Sequence, residues 1–293
     1  MHDARILAFV LAGGEGRRLR PLTENCAKPA VELGHGFRII DFVLANLVNS
    51  RVSPIYLLAQ YKPAPLIEHV ARVWRPALVR RGCLLTPVIP HDPYKGTADA
   101  VHRNLALLAE HEPDVVAVFA ADHVYRMDVR QMVDFHRDRA PDVTVAAMPV
   151  AIAEARRFGV IQADAVGRIE RFEEKPGEPA PIPGDPDHAY ASMGNYLFDP
   201  IALFDLLEET AGRGGADFGR DVLPHAVRSG ARVCAYDFST NRVPGLKAYE
   251  DATYWRDVGT VQALAQARRD VEGGSPCFDL RNADWPLQPA GAE

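Results

Sequence analysis

Cysteine is scarce in this chain: four residues among 293. Cys26, Cys83, Cys234 and Cys277 stand far apart and form no CxxC pair, which argues against a zinc site. No signal segment accompanies them, so they do not read as a disulfide framework, and a reducing cytoplasm is the expected compartment. Long hydrophobic runs are missing as well. None approaches the roughly 20 residues that span a bilayer. Ile6–Leu11 is too short for a signal core and lacks a small-residue cleavage site. Positive charge is not in excess, since the net charge is −6. That argues against nucleic acid or an anionic membrane as a partner. There is no GxGxxG fingerprint and no GKS or GKT ending of a P-loop, so dehydrogenase and P-loop readings both lose ground. Internal repeats and low-complexity linkers are absent.

What is present begins at Ile6. Ile6–Leu11 is a continuous aliphatic run, the signature of a strand buried on both faces of a parallel sheet. It breaks into Gly13, Gly14 and Gly16, where backbone N–H groups can turn inward and a phosphate can approach without meeting a Cβ. Arg17, Arg18 and Arg20 follow, making the loop cationic; guanidinium forks suit phosphate oxygens. The stretch predicts a polyphosphate loop at the carboxyl end of a strand, where ligands bind in open α/β sheets. The bland alternative is an ordinary strand-to-helix turn.

Further along, Lys28 precedes Pro29, which predicts an extended backbone at Lys28. Residues 37–49 carry apolar positions at helical spacing. Residues 55–59 and 83–89 read as short strands, and 65–74 as a helix. Gly96-Thr97 predicts a turn and an N-cap for a helix over 98–109, with an N-terminus suited to an anion or a base edge. Val115–Ala121 reads as a central strand ending in Asp122, the place where a magnesium ligand is wanted. His123 beside it reads as a structural, hydrogen-bonding histidine. Residues 127–139 predict a helix and 143–149 a strand. Residues 158–162 and 168–172 predict a hairpin about Gly167, and 177–188 a surface loop. The strand over 191–198 contains Gly194, which predicts close approach of a ligand or backbone. Helices follow over 201–209 and 217–229, the second capped by Asp217. A strand over 232–238 and a helix over 261–271 complete the pattern, and residues 273–293 read as loosely ordered, with Trp285 tucked back. Alternation up to about residue 150 indicates an α/β fold, Rossmann-like, with a mostly parallel mixed sheet and helices on both faces.

The segments AGGEGRRLRPLT, AKPA, FRIIDF, GTADA, ADHVY, FEEKP, ASMGNYLF, DFG and YWRDVGT stand in this order. The order resembles that of the sugar-1-phosphate nucleotidyltransferases. AKPA, FRIIDF and YWRDVGT point to the adenylyl branch, the bacterial glucose-1-phosphate adenylyltransferases. The resemblance runs from Ile6 to about Trp285. It implies the nucleotide-diphospho-sugar transferase fold over 1–285, with a nucleotide-binding half (1–150), a sugar-phosphate half (151–285) and a tail (286–293). It implies transfer of a nucleotidyl group, AMP from ATP, to a sugar 1-phosphate such as glucose 1-phosphate, with Mg²⁺, releasing pyrophosphate. Leu11, Ala12, Gly13, Gly14, Gly16, Gln60, Gly96 and Thr97 match nucleotide-contacting positions. Arg18, Lys28, Asp122, Lys175 and Asp257 match catalytic positions, Asp122 and Asp257 as the metal pair. Tyr94, Gly159, Glu174, Lys175, Ser192, Tyr196 and Asp217 match the sugar-phosphate site.

The chemistry agrees with that roster. A phosphate monoester, with a second pKa of about 6, is already largely dianionic at neutral pH. Such a nucleophile needs no general base, and the difficulty is bringing two anions together. Departures from the family concern regulation. The family's C-terminal β-helix domain, which helps form a homo-oligomer and its effector pockets, has no counterpart after Trp285. Asn25 and Cys26 stand where regulated enzymes carry cations. Arg17, Lys95 and Ala121 replace the commoner Thr, Arg and Gly. Alternatives compatible with these departures are a nucleotidyltransferase for a valienol-like cyclitol phosphate, using ATP or another NTP, and a non-catalytic regulatory subunit.

Overall fold

A computed structural model describes residues 4–273 and 276–289. The chain divides into two compact units. One joins the N-terminal residues through Leu7 with Tyr94–Val118 and Arg130–Thr240; the other joins Ala8–Pro93, Phe119–Val129 and the residues from Asn241 onward.

The second unit is built on parallel strands. Ile6–Leu11 pairs in parallel with Ile55–Leu58, matching Ala8 to Ile55 and Leu11 to Leu58. Ile55–Leu58 pairs in parallel with Leu85–Val88. Leu7, Ala8, Phe9 and Val10 are fully buried, as a two-face burial of an unbroken aliphatic run requires. Leu85–Val88 ends the strand order and is only half-buried. The helix Ile39–Asn49 is buried from Ile39 to Val48. Its first turn is anchored by Asp41, which accepts from Arg38 N (2.8 Å), His69 Nε2, Trp74 Nε1 and Gln288 Nε2 (2.7 Å each). The helical segment predicted over 65–74 runs on through Arg80, with a π turn at Val70–Trp74.

Residues 276–289 are not loose. Phe278, Leu280, Trp285 and Leu287 are buried, and Trp285 Nε1 donates to Asn46 Oδ1 at 3.3 Å. Arg126, itself buried, pairs with Glu250 at 2.5 Å and lies over the Phe278 ring. These apolar anchors follow no helical or strand period, so periodicity could not report them. The tail predicted over 286–293 is described only as far as 289; the remainder lies outside the described residues.

The other unit is a mixed sheet. His188–Phe198 pairs antiparallel with Val143–Ala151, which pairs in parallel with Val233–Asp237. The predicted hairpin is present as Gly159–Ala163 against Ile169–Glu174. Pro200–Gly212 is a helix whose N-cap Asp199 accepts from Ile201 N and Ala202 N. The single helix predicted over 98–109 is two, Thr97–His102 and Ala106–His111. No helix among the described residues is long and apolar enough to cross a membrane. The four cysteines form no disulfide.

Candidate active site

In the second unit the strand Ile6–Leu11 delivers the glycine loop as its sequence predicts. Ala12 N donates to Leu58 O at 2.9 Å and Ala121 N to Leu11 O at 3.3 Å, so the loop leaves the sheet beside Gln60 and Asp122. A Cβ on Gly13 would come within 3.1 Å of Gln60 Cγ. Around Gly14 the space is open. Gly16 has φ +65° and caps a 3₁₀ turn at Arg17–Leu19, a left-handed geometry that favours glycine. Its carbonyl accepts from Thr23 Oγ1 at 2.9 Å.

The loop's cations are not equivalent. Glu15 pairs with Arg17 at 2.6 Å and with Arg20 at 2.7 Å, and the Arg17 contact holds its carboxyl below the usual carboxylate range. Arg18 lies outside that pairing.

Lys28 does not sit on an extended segment. It opens a 3₁₀ turn, Lys28–Ala30, in which Val31 N bonds to Lys28 O at 3.1 Å. Pro29 is tolerated there because the first N–H groups of a helical turn have no partner within it. The turn buries the lysine stem and aims Nζ at Asp122 Oδ2, 2.7 Å away, and Asp257 Oδ1, 3.3 Å away. Burial alone would lower the Lys28 pKa; the two carboxylates more than offset that and raise it. Burial would raise Asp122; Lys28 and His123 outweigh it and hold the carboxyl well below its ordinary value. Asp122 and Asp257 meet because His123–Tyr125 pairs antiparallel with Trp255–Asp257, matching His123 to Asp257.

His123 stands beside both carboxylates. Its Nε2 lies 3.6 Å from Asp122 Oδ1 and 3.9 Å from Asp257 Oδ1, its ring packs against Trp255, and its Nδ1 is buried without a hydrogen-bond partner. Ligand atoms of Asp122, His123 and Asp257 all lie within 4.8 Å of one another. Two hard carboxylate oxygens and an imidazole fit a divalent cation. Sequence reasoning also missed Gly259. A Cβ there would stand 2.9 Å from Asp257 Oδ2 and 3.0 Å from Arg18 Nη2, so the position keeps open the space both groups border. The clue available was a glycine two residues after Asp257.

The remaining predicted residues belong to the other unit. Gly96 and Thr97 do not form an open anion site. The carbonyl of Ala216 accepts from Ala98 N (2.8 Å) and Asp99 N (3.1 Å), and Gly96, not Thr97, is the cap. A Cβ on Gly96 would meet the Ala216 carbonyl oxygen. Thr97 Oγ1 instead donates to Asp217 Oδ2 at 2.9 Å and accepts from Phe218 N at 3.0 Å. Asp217 caps its helical turn as predicted, accepting from Arg220 N at 3.1 Å. Glu174 pairs with the half-exposed Lys175, whose φ is +49°. A Cβ on Gly159 or on Gly219 would crowd the Glu174 carboxylate, and the Gly219 Cβ would also touch Asp217. Glu174, Lys175, Gly159 and Asp217 are therefore one cluster. Gly194 owes its place to a bulge: the register slips between Ser192 and Tyr196, Gly194 has φ +71°, and its N–H donates to Ser192 Oγ. Tyr196 is buried against Phe198 and Phe218. Tyr94 is buried, its hydroxyl accepting from Asn104 at 3.1 Å and its ring under the Arg103 guanidinium.

The profile described as Nucleotidyl transferase matches residues 7–274. The chain is 48% identical to the glucose-1-phosphate adenylyltransferase of Thermodesulfovibrio yellowstonii, covering 99% of this chain and 72% of the relative. It is 50% identical to the enzyme of that name from Thermus thermophilus, with 99% and 72% covered. Against that of Anaeromyxobacter dehalogenans it is 45% identical, with 97% and 70% covered. A match over most of the chain, joined to a cation–carboxylate cluster beside a glycine loop, is decisive: the protein is a nucleotidyltransferase and belongs to the nucleotidyl transferase family.

Proposed function

We propose that the protein transfers the adenylyl group of ATP to glucose 1-phosphate, giving ADP-glucose and pyrophosphate, with Mg²⁺ as the divalent ion. The observation that carries the reading is Lys28 held between Asp122 and Asp257, in a chain about half identical to named glucose-1-phosphate adenylyltransferases. A phosphate oxygen of glucose 1-phosphate attacks the α-phosphorus of ATP; the new P–O bond forms as the bond to the β-phosphate oxygen breaks, and pyrophosphate leaves.

The protein's part is positioning and charge. Gly13, Gly14 and Gly16 offer backbone N–H groups to the triphosphate, and Leu11, Ala12 and Gln60 border the nucleotide. Arg18 and Lys28 neutralise phosphate oxygens as charge shifts toward the leaving group. Lys175, with Tyr94, Gly159, Glu174, Ser192, Tyr196 and Asp217, is assigned to the sugar phosphate. Thr97 serves by fixing the Asp217 carboxylate. Asp122 and Asp257 would hold Mg²⁺, which when bound supplies divalent charge to the phosphates. His123 Nε2 faces the same space. The free cysteines suit a reducing cytoplasm.

The test is pyrophosphate release over a matrix of nucleoside triphosphates against phosphorylated sugars and cyclitols, with Mg²⁺. ATP with glucose 1-phosphate is expected to be the fastest pair. A faster pair elsewhere in the matrix overturns the substrate assignment, and no turnover with any pair overturns the enzyme reading. The relatives' names lend no support to a cyclitol phosphate or to a regulatory subunit.

A further inference from the structure

A second cationic feature lies in the mixed-sheet unit. It is a cavity of about 170 Å³ bordered by Thr210, Arg213, Gly215, Arg220, Asp221, His225 and Arg228. Its floor is His225 and Thr210, 6% and 3% exposed. Its rim is Arg213, Arg220 and Arg228, all exposed.

The floor is pre-oriented. Arg213 Nη1 lies 3.0 Å from His225 Nδ1, and Glu209 Oε2 lies 2.6 Å from His225 Nε2. A guanidinium can only donate, so Nδ1 accepts and Nε2 carries the proton that Glu209 receives. The imidazole thus holds Arg213 over the cavity. Thr210 Oγ1 is buried and has no hydrogen-bond partner. Leaving a buried hydroxyl unpaired is unfavourable, and a ligand acceptor would relieve it.

The carboxylates nearby are already engaged. Asp221 Oδ2 accepts from Ala216 N at 2.8 Å and Asp217 N at 2.9 Å, and its Oδ1 takes Arg220 Nε at 3.4 Å. Glu209 accepts from His225 Nε2 and keeps its negative charge, so three guanidinium groups face two carboxylates around the cavity. Among the described residues Arg228 has no ion pair, and the rim keeps an excess of positive charge.

The geometry points to a binding site for a small tetrahedral oxyanion, inorganic phosphate or the phosphate of a monoester, held by Arg213, Arg228 and the Thr210 hydroxyl. Its volume admits a phosphate group. None of its residues is assigned to the reaction above, and the binding does not depend on that reading.

Histidine-ring NMR of the full chain, titrated with inorganic phosphate and in a parallel arm with methyl phosphate, tests this. The His225 resonance is assigned from its loss in His225→Gln. It is expected to shift saturably, with a Kd on the order of 1 mM, while His123 reports separately on phosphate at the Lys28 cluster. In Arg213→Gln/Arg228→Gln the His225 response should weaken at least about tenfold, with basal turnover unchanged. Arg228→Gln alone, an exposed change, should weaken it less and keep the wild-type melting curve. A still His225 resonance, or an equal response in the variants, overturns the site. A response to phosphate but not to methyl phosphate restricts it to the free anion.

Discussion

Replacing Lys28 by methionine tests the charge set at the centre of the site. The lysine lies 2.7 Å and 3.3 Å from two carboxylates. At an effective dielectric of 20 each contact represents about 5–6 kcal/mol of gross attraction. Desolvation offsets most of that. What a variant feels is the pair of carboxylates left facing each other, and removing one member of a buried pair costs about 3–5 kcal/mol. The Asp122 side chain is still 37% exposed, so water screens part of it and about 2–3 kcal/mol is the better figure. Urea unfolding in EDTA should show that loss. Adding Mg²⁺ should restore more stability to Lys28→Met than to wild type, because the freed carboxylates no longer share the lysine. Turnover should fall by roughly 10²–10³-fold, since a positioned cation no longer meets developing charge.

The pH dependence has a definite sign. Asp122 is lowered in the folded state, so its contribution is present above the unfolded carboxylate pKa of about 4 and fades as pH falls toward the folded value. Lys28 is raised, so its contribution is complete below about 10.4 and fades as pH rises through the folded value. Lys28→Met should flatten both limbs. Equal stability, equal Mg²⁺ response and unchanged turnover in the variant would refute the electrostatic account.

Asp257→Asn should reduce pyrophosphate release by roughly 10²–10³-fold, with little change in the melting temperature; wild-type turnover would remove Asp257 from the metal site. Gly16→Ala places a side chain at φ +65° with its Cβ 2.9 Å from Lys28 Cβ. About 1–2 kcal/mol of stability should be lost in urea unfolding, and a rise in the KM for ATP should accompany it. His136, buried with Nδ1 on Thr144 Oγ1, is pushed down to about 4 by burial. The unfolded histidine binds its proton first, so stability should decline as pH falls from about 6.5 toward 4, by at most about 3 kcal/mol. His136→Gln should remove that slope, and an unchanged slope assigns it elsewhere. Asp217→Ala removes the Thr97 bond and a cap worth about 1 kcal/mol; it should raise the KM for glucose 1-phosphate more than that for ATP.

Much of this protein is written in short-range pattern. The aliphatic run Ile6–Leu11, bounded by glycines, favours a strand buried on both faces of a sheet, and Gly16 takes a left-handed turn that a larger residue resists. Such features depend on neighbours in sequence, so they are legible there, as are the Asp217 cap and the hairpin about Gly167. Partnership is different. Glu15 pairs with Arg17 and Arg20 of the glycine loop, the Ala216 carbonyl closes the helix end after Gly96, and Trp285 docks on Asn46. His123 joins Asp257 only because two short strands, far apart in the chain, lie in register. The chain by itself determined which chemistry-bearing residues exist and which local shapes carry them. Only the tertiary structure decided which charges remain free, because a cation is available to a ligand only where no carboxylate from elsewhere in the fold has reached it first.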